Sequence, residues 1–426
     1  MTLIACRDCA AIQRLKPLSS GRRLECWQCG RVLESRAGRS LDGALACSIT
    51  VLLLLLPANF LPLMTVHLGP LSSSHVLAAG LAVAWAQGWP LVAVLLALEG
   101  IILPFARFGL LSVVLAMIRC GRRDSWLGRA FRYAELLDQW AMFDVLLIGA
   151  GIGYGRIASQ VAVSIDPGGW CFVGASLMTM VTRAMLERRE VWRRLHPDPE
   201  AFDQQEVACT SCDLLLPAEA VGQRCPRCAA AVHRRRPFAV TQCTALLLAT
   251  AIITPIAYSY PMSAFWKGDQ IESHTVINGI ELLFQSGFWY FGIIIFCVSF
   301  VFPLTKLGAL AWFLTSLHRG SSTKLRFKTR LYRFIDEIGR WSTLDPFTVM
   351  VFAPMIQFGQ LAHFDFMGGA AAFLATVVLS MAAANVFDPR LFWDNASPET
   401  GMAGLRVPPP EAAPPFMAGL GPRLSG

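Results

Sequence analysis

Long runs of apolar residues, separated by short polar segments, dominate the chain. A helix that crosses a bilayer needs about 20 mostly apolar residues. Runs of this kind occur at about residues 44–64, 89–118, 138–162, 169–187, 241–262, 287–317, 341–361 and 367–387. They predict eight membrane-spanning helices. The first run has no small-residue cleavage site, so we interpret it as a retained span rather than as a signal peptide.

Composition agrees with this pattern, because 54% of the residues are hydrophobic and only 15% are charged. Soluble globular domains carry about 25% charged residues. The excess apolar surface is expected to face lipid, and the chain is therefore predicted to be an integral membrane protein.

The formal charge of +8 is divided between the two sides of the predicted membrane. Arginines and lysines crowd the loops at 119–132, 188–236 and 319–333. Lys267 is the only lysine or arginine in the alternate loops, which lie near 65–88, 163–168, 263–286 and 362–366. Basic loops remain in the cytoplasm, so both termini and both cysteine-rich segments are predicted to be cytoplasmic. The charge does not form one basic face, and we predict no nucleic-acid partner.

The two halves of the sequence resemble each other. An offset of 199 residues pairs Cys26 with Cys225 and Pro104 with Pro303, and after a two-residue shift in the basic loop an offset of 201 pairs Trp140 with Trp341. Each repeat then contains an even number of spans, which returns the chain to its starting side. The halves are therefore expected to have the same orientation, related by a pseudo-twofold axis along the membrane normal.

The expected fold is an all-α polytopic membrane protein. A four-helix transmembrane module is duplicated in tandem, and a small four-cysteine zinc ribbon precedes each copy. The predicted boundaries are 1–40 for the first ribbon, 41–190 for the first module, 191–240 for the linker and second ribbon, 241–394 for the second module, and 395–426 for a cytoplasmic tail. The tail has several prolines and few large apolar residues, a composition typical of disorder.

Two sets of four cysteines have the spacing of zinc ribbons. The predicted ligands are Cys6, Cys9, Cys26 and Cys29 in the first set, and Cys209, Cys212, Cys225 and Cys228 in the second. Two residues between paired cysteines let a tight turn direct both sulfurs at one ion. The alternatives are thioredoxin-type redox pairs or unrelated cysteines, but a redox motif needs a single pair in a βαβ unit. We predict two structural zinc ions per chain, because four protein ligands leave no position for a substrate.

One predicted helix of each half contains a proline, a cation and a glycine. These are Pro104, Arg107 and Gly109 in the first half, and Pro303, Lys306 and Gly308 in the second. Proline kinks the helix and frees a backbone carbonyl, and a cation at membrane depth usually faces a partner or a wet cavity. A buried ion pair that fixes helix register would explain the cation without a functional role. The alternative is a site for substrate transport.

An acid begins the next span of each half. Asp144 and Asp345 each lie four residues after a tryptophan, which we interpret as an interfacial anchor. Arg107 lies about 18 Å along its helix from the basic loop, and Asp144 about 9 Å along its own. We therefore predict that Arg107 pairs with Asp144 and Lys306 with Asp345. In a polar cavity the cation would hold an anionic group of a substrate, and the acid would release that group by competing for the same charge.

Several motifs recur in a fixed order along the chain. They are the duplicated ribbons, Pro57–Pro62 in the first helix, the Pro-x2-Arg/Lys-x-Gly helices, the Trp-x3-Asp motifs and a closing Asp388-Pro-Arg-x2-Trp393. This set resembles the paraquat-inducible protein A family (PqiA/LetA) over nearly the whole chain. The resemblance implies an inner-membrane protein of Gram-negative bacteria that works with a periplasm-spanning MCE-domain partner (PqiB- or LetB-like) in lipid transport. The first-helix pattern is degraded in the second half, and Pro346 follows the second aspartate where Val145 follows the first.

Three functions are compatible with these features. The resemblance implies movement of phospholipid or a similar amphiphile between the inner membrane and an MCE tunnel. A scaffold that only anchors the MCE partner would share the same sequence features. A quinone- or haem-linked redox protein needs histidines that face each other within the spans, whereas His67, His75, His274 and His363 lie at or beyond the outer ends. No GxxxxGK[ST] loop is present to bind nucleotide, and we expect neither an enzyme nor a self-powered pump.

Overall fold

The computed structural model of the protein describes residues 2–394, with gaps at 16–22, 36–39, 69–70, 142, 159–161, 199–205, 268–269, 286, 288, 340 and 342–361. Within these residues the chain is mostly helical, and each half carries a four-cysteine cluster and a set of apolar helices. The predicted fold class is confirmed. The tail at 395–426 and nearly all of the predicted seventh span lie outside the described residues.

Two short hairpins form the first ribbon. Strand β1 (Thr2–Ala5) pairs with β2 (Ile12–Leu15), and β3 (Arg23–Glu25) pairs with β4 (Val32–Ser35), both in antiparallel register. The turn of each hairpin carries one Cys-x2-Cys pair. Two separate turns can therefore bring four sulfurs to a single point.

The first module begins with a helix that is long and apolar enough to cross a membrane. Helix α1 (Leu41–Phe60) starts after Ser40, whose hydroxyl accepts a hydrogen bond from Gly43 N at 3.2 Å, as helix N-caps do. The further helices of this half are α2 (Ala79–Ala86), α3 (Pro90–Ala97), α4 (Leu103–Arg119), α5 (Ser125–Asp138), α6 (Phe143–Ala158), α7 (Pro167–Met185) and α8 (Arg188–Leu195).

A small sheet lies at the end of the first module opposite the ribbons. Its central strand, β5 (Met64–Leu68), pairs with β6 (Leu71–His75) and with β7 (Ala162–Ile165), antiparallel in both cases. The β5–β7 pairing ties the segment after α1 to the segment after α6. We call this end of the molecule the sheet side and the other end the ribbon side. No sheet was predicted here from the sequence.

The second half repeats this order. Its elements are β8 (Glu206–Ala208), β9 (Leu215–Pro217), α9 (Ala239–Ser259), β10 (Ser263–Lys267), β11 (Gln270–His274), α10 (Val276–Gln285), α11 (Trp289–Phe296), α12 (Phe302–His318), α13 (Leu325–Gly339), β12 (Ala362–Phe366), α14 (Gly368–Val386) and α15 (Leu391–Asp394). Strand β10 is central in its sheet and pairs with β11 and β12. Both halves therefore have a three-stranded sheet on the same side.

Among the residues that the structure describes, five helical segments are long and apolar enough to cross a membrane. They are Leu41–Phe60, Pro90–Arg119, Ala239–Ser259, Trp289–His318 and Gly368–Val386. A sixth span results if Pro167–Met185 is taken together with Arg188–Leu195, although the two are bent by 64°. The predicted third span corresponds to α6, which has 16 residues and is shorter than the roughly 20 residues of a full span.

Both long spans contain a π-helical turn just before the predicted proline. Leu98–Ile102 precedes Pro104, and Cys297–Val301 precedes Pro303. A π turn widens the helix by one residue, so the proline fits within a continuous segment of 30 residues. The two turns are 199 residues apart in the sequence, which agrees with the internal repeat.

Each ribbon packs against the module that it does not precede. The first-ribbon cysteines share a hydrophobic cluster with Phe313 of α12 and with Phe387 and Trp393 at the end of the second module. The second-ribbon cysteines share a cluster with Phe131 of α5 and Trp192 of α8. The ribbons thus join the two halves on the ribbon side.

The halves also meet through their helices and sheets. Val145 and Phe373, from different halves, belong to one buried cluster, and Trp140 packs against it. On the sheet side, Trp89 Nε1 donates a hydrogen bond to the Phe366 carbonyl at 3.1 Å. The two modules therefore touch at both ends and in the middle.

Candidate functional site

Four tight turns present the eight predicted cysteine ligands. In the first turn, Ala10 N donates to the Cys6 carbonyl and Cys6 N donates to the Ala11 carbonyl, both at 2.9 Å. The residue after the second cysteine of every pair is left-handed: Ala10, Gly30, Asp213 and Ala229 have φ values of 60°, 69°, 61° and 55°. Three of these residues are not glycine, and this conformation costs roughly 1–2 kcal/mol for a residue with a Cβ. The four turns share one geometry despite that cost.

The sulfurs of each set converge on one point. The Sγ separations are 3.5 Å for Cys6 and Cys29, 3.5 Å for Cys9 and Cys26, 3.6 Å for Cys209 and Cys228, and 3.5 Å for Cys212 and Cys225. All four sulfurs of a set are buried and lie within 4.8 Å of one another. Zn–S bonds of about 2.3 Å in a tetrahedron require sulfurs about 3.8 Å apart. Each cluster can therefore hold a metal ion, and its donor set and spacing fit zinc.

The predicted cation of the first module, Arg107, is buried in α4 with 3% exposure. Its guanidinium forms an ion pair with Asp138 at the end of α5. Arg183 Nε donates to the same Asp138 carboxylate at 3.0 Å. The predicted partner, Asp144, lies outside the residues whose side chains the structure describes. We did not predict Asp138 from the sequence, because its counterpart in the second half is Gly339 and the repeat does not mark it.

The predicted cation of the second module, Lys306, is also 3% exposed. Its Nζ lies 3.4 Å from the Ser380 hydroxyl. Lys306 and Asp336 line a cavity of about 10 Å³, which is about the space of one water molecule. The predicted partner, Asp345, lies outside the described residues. The acid near Lys306 is Asp336, which lies about one helical turn before Gly339, the counterpart of Asp138.

A further acid, Glu99, lies in the π turn of the first module and is 5% exposed. Among the described residues, none forms a hydrogen bond or an ion pair with its carboxyl group. Its counterpart in the second half is Val298. We did not single out Glu99 from the sequence, although an acid inside an apolar run is the available signal.

A charged cavity of about 860 Å³ lies between the two halves on the ribbon side. Its wall includes Asp8 of the first ribbon and Ser211 of the second. Arg107 and Asp138 also line it. The cavity therefore connects the ribbons with the buried arginine of the first module.

Comparison with known families identifies the helical modules. The model of the family described as paraquat-inducible protein A matches residues 41–196 and, a second time, residues 240–397. The two matches together cover most of the chain and follow the internal repeat. The ribbon at residues 1–40 lies outside both.

Three related proteins are similar to this chain in sequence. The lipophilic envelope-spanning tunnel protein A of Escherichia coli K12 is 30% identical over 262 residues, which cover 61% of this chain and 61% of that protein. The intermembrane transport protein PqiA of the same strain is 24% identical, with coverage of 92% and 95%. A probable intermembrane transport protein of Haemophilus influenzae is 22% identical, with the same coverage. No solved structure matches the chain.

Proposed function

The chain belongs to the paraquat-inducible protein A family, and on that premise we propose that it is the inner-membrane component of an MCE-type lipid transport system. It moves phospholipid or a similar amphiphile between the inner membrane and a periplasm-spanning tunnel formed by an MCE-domain partner. The names of relatives that cover nearly the whole chain support intermembrane transport and favour a transport protein over an enzyme.

The observation that carries this proposal is the pair of buried cations. Arg107 and Lys306 occupy equivalent positions, each shortly after a π turn and a proline in an otherwise apolar span. A charge at this depth is expensive and is usually retained for function. A lipid phosphate is a suitable ligand, because a guanidinium group binds phosphate with two parallel hydrogen bonds.

The shared acid suggests how the first module exchanges a phosphate. Asp138 forms ion pairs with both Arg107 and Arg183. A phosphate that draws Arg107 away leaves Asp138 paired with Arg183, so the carboxylate is not stranded without a partner. When the phosphate leaves, Arg107 returns to Asp138. The competition that releases the lipid thus uses Asp138 in place of the acid predicted from the sequence.

The ribbons hold two structural zinc ions in this proposal. When bound, zinc fixes the geometry of each four-thiolate cluster and contributes to folding. Arg333 of α13 donates to the Cys29 carbonyl at 3.0 Å and to Cys29 Sγ at 3.2 Å. Since α13 also carries Asp336, the first ribbon positions the helix whose acid lies near Lys306.

The sheet side faces the periplasm and meets the MCE partner, while the ribbon side faces the cytoplasm. The basic loops support this orientation. On the ribbon side, α5, α8 and α13 each carry two or more arginines or lysines. Both termini are then cytoplasmic.

Transfer of fluorescent phospholipid from proteoliposomes to acceptor vesicles, with and without the MCE partner, tests the proposal. We expect Arg107→Gln to abolish transfer while leaving membrane abundance and partner binding intact. Arg119→Gln is the matched control, because Arg119 lies on the same helix but is exposed. Normal transfer in both Arg107→Gln and Lys306→Met would refute the role of the cations, and a wild-type protein that binds the partner without transferring lipid would identify a scaffold.

A further inference from the structure

The cavity between the halves has a basic wall. Eight arginines and six acids line it. Charged residues outside the wall change this balance little. Asp213, outside the wall, neutralises Arg7 of the wall, since Arg7 Nε pairs with its carboxylate at 2.6 Å. In the opposite sense, Asp8 of the wall pairs with Arg333, which lies outside the wall. The cavity therefore has more positive charge than its own carboxylates neutralise.

Arg132 of α5 is the clearest source of the excess. Its Nε is buried and has no hydrogen-bond partner among the described residues. Its guanidinium lies 4.9 Å from the ring centroid of the neighbouring Tyr133. An aromatic face is a weak substitute for a counter-charge, so Arg132 retains the capacity to bind an anion.

The repeat shows which partner Arg132 lacks. Its counterpart in α13, at an offset of 201 residues, is Arg333, whose Nε donates to the Asp8 carboxylate at 2.5 Å. Asp8 directly precedes Cys9, and Ser211 directly precedes Cys212 in the second ribbon. The second ribbon thus presents a hydroxyl where the first presents a carboxylate, and Ser211 lines the same cavity as Arg132.

We propose that this cavity binds a phosphate-bearing anion, whose oxygens occupy beside Arg132 the place that the Asp8 carboxylate occupies beside Arg333. Phosphate oxygens match the fork of a guanidinium group as a carboxylate does. The volume of about 860 Å³ lies within the range of about 300–1,000 Å³ typical of ligand pockets and exceeds the needs of inorganic phosphate. A lipid headgroup and a soluble phosphate ester share this chemistry. Arg107 lines the same cavity, and the variant Arg132→Gln tests the anion beside Arg132 separately from the proposed role of Arg107 in lipid transport.

Native mass spectrometry of the full-length, zinc-loaded protein tests the proposal with three probes. These are phosphatidylglycerol, diacylglycerol with the same acyl chains, and glycerol 3-phosphate. We expect retention of phosphatidylglycerol or glycerol 3-phosphate, and the probe that is retained identifies the source. Arg132→Gln should weaken this binding about tenfold, the loss expected for one charge-assisted hydrogen bond. Arg129→Gln is the matched control, since Arg129 is exposed on the same helix, and it should bind as wild type does.

A second variant distinguishes a loss of anion binding from a loss of folding. Ser211→Asp supplies the carboxylate that the first ribbon already has, so it should block anion binding and raise the melting temperature in the absence of anion. Equal binding of diacylglycerol and phosphatidylglycerol with no binding of glycerol 3-phosphate, or anion binding that survives both Arg132→Gln and Ser211→Asp, would overturn the proposal.

Discussion

The Lys306 ammonium lies 3.0 Å from the position that a Cβ atom on Gly339 would occupy. Gly339 is the counterpart of Asp138, which pairs with Arg107 in the first module. The first module therefore has an acid beside its buried cation at this position, and the second module has a glycine. The acid that shares a cavity with Lys306 is Asp336 instead, so the two modules are not equivalent.

This asymmetry predicts the effect of adding a side chain at Gly339. Gly339→Ala should be tolerated with near-normal lipid transfer, because the mobile end of Lys306 can move by a few tenths of an ångström. Gly339→Asp should retain membrane abundance but lower transfer severalfold, since a permanent carboxylate would hold the ammonium. Transfer assays on both variants, normalised to protein in the membrane, check this prediction. Equal activity of Gly339→Asp and Gly339→Ala would show that the charge of Lys306 does not matter.

The cysteine geometry predicts the metal content. Elemental analysis should find about two zinc ions per chain, one for each four-thiolate cluster. The double substitution Cys26→Ser with Cys29→Ser should reduce this to about one. It should also expose α13 to proteolysis, because the first ribbon packs against the second module. Cys120→Ser, at an exposed cysteine outside both clusters, is the control and should leave the metal content unchanged.

The orientation of the protein in the membrane can be tested by labelling two exposed positions at opposite ends of the molecule. Gln223 lies in the second ribbon, and Ser72 lies in β6 on the sheet side. In a Cys120→Ser background, Ser72→Cys should react with a membrane-impermeant maleimide in spheroplasts, whereas Gln223→Cys should react only after lysis. The reverse pattern would invert the topology and with it the proposed docking side of the MCE partner.

The sequence predicted those features that depend on local pattern. Four cysteines at Cys-x2-Cys spacing converge because each pair sits in one tight turn, and the fold of the rest of the chain is not needed. The proline sites near Arg107 and Lys306 were likewise visible, because proline and cations are rare in apolar helices. The π turns that precede the prolines were not predicted, because the sequence indicated only a proline kink.

Features that depend on long-range complementarity were not predictable from the pattern. The second ribbon docks on α5 where a Cβ atom on Gly128 would overlap the Arg227 carbonyl oxygen. A single glycine carries no signal of which partner approaches it. Asp138 was missed for a related reason: it lies at the edge of a predicted span, and the repeat replaces it with glycine.

The sheets were missed because their strands are short and follow long apolar runs. Met64 and Val66 of β5 are buried and alternate with more exposed residues, which is the period of a half-buried strand. Five residues of such alternation do not stand out beside runs of 20 apolar residues. Their partner strand β7 is about 100 residues away, so the pairing has no local signal.

Asp198 in the linker provides a prediction with a defined pH dependence. Arg227 Nη2 of the second ribbon donates to its carboxylate at 2.8 Å, and Arg193 Nε lies 3.3 Å away. Burial alone would raise the pKa of Asp198, but the hydrogen bond and charge of Arg227, together with neighbouring arginines, bring the pKa below its usual value. The linker thus ties the second ribbon to α8.

A carboxyl group whose pKa is lower in the folded than in the unfolded protein stabilises the fold at pH values above its unfolded pKa of about 3.9. That contribution is lost as the pH falls through the folded pKa. Asp198→Asn should therefore destabilise the second ribbon by about 3 kcal/mol, the cost of breaking a buried ion pair, and the loss should be constant between pH 8 and pH 5.5. Thermal unfolding across this range measures it, with the exposed Asp124→Asn as a control that should shift little. A penalty that disappears on lowering the pH to 5.5 would mean that Asp198 already takes up a proton there, contrary to the ion pair with Arg227.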